Sequence, residues 1–287
     1  MIDDLAAIVD LQPPLREVIQ SSELNASKAL GQNFLLDKNI TDKIVRHAHD
    51  INGKPTGDLS GHLVIEIGPG PGGLTRSILR ANPIKLIAIE FDARAVEALQ
   101  PLQNAVGDRL EIIHGDATKT DLKALNPNNL PCKIIANLPY NVATPLLISW
   151  LHDVYDSGAY DEMLLMFQKE VAQRICAKCG DGHYGRLAIV SQWLMRCKII
   201  FDLPPQAFTP PPKVKSAIVR FRPRDFEKVA FKTIENLTAE AFGKRRKMIR
   251  QSLKNHLGKI EELGLDPTLR AENLQIEDFV RLAALSA

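Results

Sequence analysis

From residue 62 onward, short apolar runs alternate with stretches of helical periodicity, the pattern of a wound α/β sheet. Strands are expected at 62–67, 84–90, 110–114, 132–136 and 162–168, and helices at 73–81, 92–102, 144–153 and 169–178. Thr144 is the expected N-cap of the third of these helices, with Pro145 at its first helical position. Two further extended runs, 196–202 and 217–222, flank a proline-rich loop and are expected to pair antiparallel at the sheet edge. A helix over Asp37 to His49 precedes the sheet, followed by a loop from Gly53 to Gly61. Residues 1–26 read as an appended segment, with a helix from Leu15 to Glu23 after the Pro13-Pro14 break. Arg222-Pro223-Arg224-Asp225 is the expected linker, and beyond it the pattern is helical to the end. The expected organisation is therefore an extension (1–26), an α/β domain (27–222) and a small all-α domain (223–287).

Composition narrows the class. A 287-residue chain that is 45% hydrophobic can bury a substantial core, and no apolar run approaches membrane-spanning length. The acidic start Met1-Ile2-Asp3-Asp4-Leu5 has neither a basic n-region nor a long apolar core, so a cytoplasmic protein is expected; a monomer is expected as well. The net charge of +2 hides an asymmetry: 12 Lys/Arg stand against 4 Asp/Glu between Arg220 and Lys259. Such a block is either a solvated helix face or a polyanion-binding surface.

Candidate chemistry sits at the ends of the expected strands. The 62–67 run leads into Glu66-Ile67-Gly68-Pro69-Gly70-Pro71-Gly72-Gly73, where glycines let the backbone pass close to a ligand. Gly68, Gly70 and Gly73 also satisfy G-x-G-x-x-G, which leaves a dinucleotide site open. Glu90 closes the next strand and Asp116 follows the one after. A carboxylate in the first place can accept both ribose hydroxyls of an adenosine, and one in the second can accept from the adenine amine. That succession suits S-adenosylmethionine better than NAD. After the fourth strand comes Asn137-Leu138-Pro139-Tyr140. Asn137 offers a carbonyl oxygen, the backbone near Pro139 a second acceptor, Pro139 a stiff turn, and Tyr140 a ring face for a base. Two acceptors and a ring suit methylation of an exocyclic base nitrogen; the bland reading is a tight surface turn.

These residues resemble the KsgA/RsmA-type ribosomal RNA adenine N6,N6-dimethyltransferases over essentially everything after residue 27. The resemblance rests on Gly31-Gln32-Asn33-Phe34-Leu35, the Glu66–Gly70 motif, Ile89-Glu90, Gly115-Asp116-Ala117 and Asn137–Tyr140. It continues through Tyr184-Gly185-Arg186-Leu187 and the long pattern Phe208-Thr209-Pro210-Pro211-Pro212-Lys213-Val214-Lys215-Ser216. It implies a Rossmann-like class I S-adenosylmethionine-dependent methyltransferase with a small helical C-terminal domain. The substrate it implies is 16S rRNA in the small ribosomal subunit or its precursor. Cofactor contacts are then expected at Asn33, Leu35, Gly68, Gly70, Glu90, Asp116 and Asn137. Asn137, Leu138, Pro139, Tyr140 and Phe208 are expected to frame the target adenine, the two rings sandwiching an extruded base.

The basic block fits that reading. On one continuous helix, Phe242, Ile249, Leu253 and Leu257 would share an apolar face, and Lys244, Lys247, Arg250 and Lys254 would project towards RNA phosphates. Arg245 and Arg246 fall nearer the stripe edges, where one could bridge to the catalytic domain. Cys176-Ala177-Lys178-Cys179 near His183 looks like half a zinc site, but Cys132 and Cys197 are isolated and no metal is expected. The rival readings are an Erm-type 23S rRNA methyltransferase, a non-catalytic assembly or transcription factor on the same fold, and an NAD-dependent oxidoreductase.

Overall fold

The apolar runs pair edge to edge because most are buried on both faces, as a parallel sheet covered by helices requires. The computed structural model describes residues 4–24, 32–244 and 246–286. Among them, β1 (Phe34–Leu35) and β8 (Phe208–Thr209) form a small antiparallel ladder. The central sheet contains β2 (Leu63–Ile67), β3 (Lys85–Glu90), β4 (Leu110–His114), β5 (Cys132–Ala136), β6 (Glu162–Gln168), β7 (Met195–Leu203) and β9 (Ser216–Pro223). Its order is β4-β3-β2-β5-β6-β9-β7. The first five of these neighbours run parallel; β9 is antiparallel to both β6 and β7.

Alternate residues of each strand serve opposite faces. Ile65, Ile67 and Ile134 join a cluster with α6 (Tyr140–Ser157), α7 (Lys169–Cys176) and α8 (Arg186–Leu194). Val64, Leu86 and Ile135 join a second cluster with α3 (Lys38–Arg46), α4 (Gly73–Arg80) and α5 (Ala93–Val106). The N-terminal helices α1 (Leu5–Asp10) and α2 (Leu15–Ser21) lie against this second layer. Leu5 and Val9 are buried in it, and Arg76 donates to the Pro13 carbonyl at 2.7 Å.

Three expectations change. Thr144 is not an N-cap: α6 starts at Tyr140, and Pro145 lies inside it. The Val142 and Ala143 amides both bond the Pro139 carbonyl at 3.1 Å, so the first turn forms directly off the Asn-Leu-Pro-Tyr turn. The bond Pro145 cannot make would go to Asn141, which is exposed and can be hydrated. Helix α8 was not foreseen, because residues 186–194 are apolar nearly all round and show no amphipathic period.

The continuous basic helix is also broken. Helix α9 (Phe231–Gly243) stops at Gly243, and α10 (Ile249–Ser252) and α11 (Leu257–Glu262) follow as short pieces before α12 (Ile276–Ala284). Between them the backbone finds partners outside any helix: Ile249 donates to the Leu269 carbonyl at 2.7 Å, and Arg250 to that of Pro267 at 3.1 Å. Ile249 and Leu253 are still buried, and Lys244, Arg246, Lys247, Arg250 and Lys254 are still exposed. Arg245 and Gly31 lie outside the described residues. The helical C-terminal segment shares the α6–α8 cluster: Phe231, Ile234, Leu237 and Phe279 pack into it with Trp150 and Trp193.

At the N-terminal ends of β5 and β6 a charged group is sealed in the core. Lys133 Nζ lies 3.2 Å from Glu162 Oε2, and His49 donates to the same carboxylate through its backbone N–H at 2.9 Å and its Nδ1 at 2.5 Å. Lys133 and Glu162 are both fully buried. Removing one partner strands the other charge. Lys133→Met is expected to lower unfolding stability in chemical denaturation by about 3–5 kcal/mol; a loss below about 1 kcal/mol would show that His49 alone neutralises Glu162.

Candidate active site

The sheet order reverses between β2 and β5, and crevices outside the carboxyl ends of parallel strands form at such a point. There the chain encloses a cavity of about 250 Å3. Its wall takes Gly68 from the loop after β2, Glu90 from the end of β3, Asp116 from the loop after β4, and Asn137 to Tyr140 from the turn after β5. Asn33 closes it from the segment before β1.

The glycine loop owes its path to positive φ: Gly68 is at +68° and Gly70 at +55°. Gly70 also clears its neighbour, since a Cβ there would come within 3.0 Å of the Phe34 ring. Its amide donates to Glu90 Oε2 at 3.0 Å, and the Asp92 amide donates to Glu90 Oε1 at 2.9 Å. Burial raises the Glu90 carboxyl above its usual range, and these backbone donors oppose the rise. Asp116 is half-exposed, and Thr118 donates to it from its hydroxyl at 2.7 Å and its amide at 3.0 Å. Those two bonds hold it below the usual carboxylate range. Two acids at the ends of adjacent strands thus sit in different environments on one wall.

Among the described residues one hydrogen bond orients the Asn137 side chain. Its Nδ2 donates to the Asn33 carbonyl at 3.1 Å, which leaves Oδ1 as the free acceptor of that side chain. Tyr140 lines the cavity with its ring and shares a 2.6 Å hydrogen bond with Ser216 Oγ. Burial raises its phenol.

Three expected site residues are not on the wall. Leu35 and Phe208 face each other across the β1–β8 ladder and are buried; Phe208 is 2% exposed, in the apolar cluster against which Tyr140 packs. Gly70 lies behind Glu90. The wall adds residues that the motifs did not single out, chiefly Phe91, Thr118, Asn141 and Leu146. Phe91 had a readable signal: an aromatic directly after the acid of β3, 60% exposed where a planar ring could rest. Cys176 and Cys179 remain free thiols, and burial pushes Cys176 up to about 11.

The residues fit S-adenosylmethionine. The glycine loop leaves room for a ligand beside Gly68, where the nearest atom to a built Cβ, Pro139 Cδ, is 3.8 Å away. Glu90 and Asp116 present carboxylate acceptors and Phe91 an aromatic ring on the same wall, a set that suits hydroxyls, an amine and a planar base. Fold and cavity together define a Rossmann-like class I methyltransferase.

A family model described as ribosomal RNA adenine dimethylase matches residues 23–287. The "Ribosomal RNA small subunit methyltransferase A" of Agrobacterium fabrum is 50% identical over 280 residues, 96% of this chain and 99% of that protein. The crystal structure of a dimethyladenosine transferase from Plasmodium falciparum superposes with TM-score 0.72 at 27% identity, covering 86% of this chain and 94% of that one. The 23S rRNA methyltransferase ErmE shares the fold, with TM-score 0.65 at 22% identity over 88% and 98% of the two chains. The chain belongs to the ribosomal RNA adenine dimethylase family, and its cofactor is S-adenosylmethionine.

Below the glycine loop, Glu66 is 1% exposed and its Oε2 has no partner among the described residues. Burial pushes its carboxyl up to about 8; the Thr75 hydroxyl opposes the rise and Glu90 adds to it. The folded-state value lies above the unfolded one, so the stability Glu66 contributes is full below its unfolded value and lost as pH rises through about 8. Glu66→Gln is expected to flatten the fall of Tm with pH from about 5 upward. A variant whose Tm declines as steeply as the parent's would show that Glu66 is ionised throughout.

Proposed function

We propose that this protein transfers methyl groups to N6 of two adjacent adenosines in 16S rRNA during small-subunit assembly, giving N6,N6-dimethyladenosine. The observation that carries the reading is the Asn137 amide, held by the Asn33 carbonyl with its oxygen free, in an Asn-Leu-Pro-Tyr turn beside the cofactor cavity. S-adenosylmethionine, when bound, supplies an electrophilic methyl on a sulfonium. The chain's own residues bind and aim the acceptor. The adenine amine lone pair is delocalised into its ring; N–H bonds to Asn137 Oδ1 and to the Leu138 carbonyl localise it and direct it out of the ring plane. Catalysis of this kind is orientation and polarisation, strongest where charge develops. Tyr140 gives the base a face, and Phe208, buried in the apolar cluster against which Tyr140 packs, backs it from behind the wall. The protein acts as a monomer, residues 223–287 forming its helical RNA-binding part.

The reading is tested by tritiated methyl transfer onto small subunits from a strain lacking this methylation, with mass spectrometry of the nucleosides. Dimethyladenosine is the expected product; transfer to separately supplied large subunits with none to small subunits would favour the Erm-type alternative. Asn137→Ala is expected to lower turnover by at least about two decades, because its oxygen acts most strongly as the lone pair localises. Phe208→Leu keeps the core apolar while removing the ring and is expected to cost about one to two decades in RNA-dependent turnover, with monomethyladenosine accumulating. Dimethyl product at the parent rate would mean Phe208 only packs the core.

Charge reversal of exposed Lys244, Lys247 and Arg250 together is expected to weaken subunit binding and to lower its salt slope by at least about 2. An unchanged slope would make them a solvated face.

A further inference from the structure

A second basic surface lies on the catalytic part of the molecule, apart from the C-terminal block. Strand β7 is the outer strand of the sheet, and β9 is its inner neighbour. Across this ladder Arg196 stands directly opposite Arg222, and Lys198 opposite Arg220. The period-two alternation puts all four on one face, while Phe221 and Val219 between them are buried on the other. Arg196, Lys198 and Arg222 are exposed, and Arg220 is half-buried.

Like charges placed directly opposite on an antiparallel pair repel each other and weaken the sheet. Acids normally relieve such a pair, yet among the described residues none of the four cations has a carboxylate within 4.0 Å. Of the acids around them, Glu162 holds Lys133 and Asp202 holds Lys169, while Asp225, which lines the same surface hollow as Arg196 and Arg222, stays more than 4.0 Å from both cations. Cations along an outer strand deter edge-to-edge aggregation, which would account for Arg196 and Lys198. It does not account for Arg220 and Arg222, which lie on an inner strand.

Helix α3 enlarges the patch. Its last turn carries Lys43 and Arg46, and Lys43 Nζ sits 4.1 Å from the centroid of the Phe201 ring on β7. His47, beside the same ring, is lowered by burial and then by the charges of Arg220, Lys43 and Arg46, so these cations share one neighbourhood.

We propose that the paired cations of β7 and β9, with Lys43 and Arg46, bind the phosphate backbone of the RNA substrate at a site remote from the methylated base. The proposal rests on the rRNA-directed function above. Its occupant follows from charge: an array of unneutralised cations on a rigid sheet face matches a polyanion recognised through its backbone. The distance follows from register. Ser216, which holds Tyr140 at the cavity, is six residues from Arg222 along the same strand, roughly 20 Å. This surface therefore reads RNA structure around the target and leaves the reaction itself untouched.

The test compares the parent with Arg196→Gln/Lys198→Gln/Arg222→Gln in binding to undermethylated small subunits across a salt series. The log-affinity against log-salt slope is expected to fall by about 2–3, near one unit per cation removed, with affinity at low salt reduced more than tenfold. Cofactor affinity by calorimetry should be unchanged, and Tm equal or higher as the repulsion is relieved. Arg222→Gln alone, expected to reduce the slope by about 1, serves if the triple variant folds poorly. Parent binding with an unchanged slope in both variants overturns this surface alone. A parent that shows no salt-dependent binding to subunit RNA overturns the rRNA reading and this surface with it.

Discussion

A built Cβ on Gly73 would lie 2.3 Å from the Leu35 carbonyl oxygen, a distance no side chain tolerates. The close approach of the 33–35 segment to the start of α4 depends on that absence, and much of the site depends on the approach. Seated there, the segment pairs with β8 and puts the Asn33 carbonyl where it can hold the Asn137 amide. Gly70 makes the parallel allowance for the Phe34 ring. The two glycines therefore act partly through packing: they let a strand that begins far upstream close the cavity and orient the residue after β5.

The acids on the wall show how one sheet edge provides two environments. Glu90 is buried and keeps its acceptor character through amide donors from Gly70 and Asp92. Asp116 is more open and is fixed by Thr118. Glu66, a strand away, has no backbone-amide donors of this kind among the described residues, and of the three carboxyls it is the one burial pushes up to about 8. The same chemical group thus keeps backbone or hydroxyl donors at two positions on the cavity wall and is pushed upward by burial at the third, according to which donors reach it.

At the other end of the molecule, the helical segment is tied to the catalytic sheet by aromatic packing. Phe231 contacts Tyr155 at 5.6 Å and Trp193 at 5.7 Å between ring centroids, and stacks on His152 at 3.6 Å. The C-terminal cations are carried on a part that shares its core with α6 and α8, so their position relative to the cavity is set by packing on the same helix that begins at Tyr140.

Strand positions were legible from residues alone because a parallel sheet buried on both faces demands continuous apolar runs; β5 and β6 match their expected bounds of 132–136 and 162–168. The order of chemistry was legible too, since a loop after each parallel strand must emerge at the same edge, and Gly68, Glu90, Asp116 and Asn137 meet there. What only the tertiary structure decided concerns contacts between segments distant in sequence. The start of α6 at Tyr140, the break after Gly243, the burial of Phe208 against Leu35 and the facing cations of β7 and β9 each depend on a partner elsewhere in the chain. A local pattern records which residues prefer helix, strand or core; it does not record which carbonyl an amide will find, or which charge another strand will place opposite.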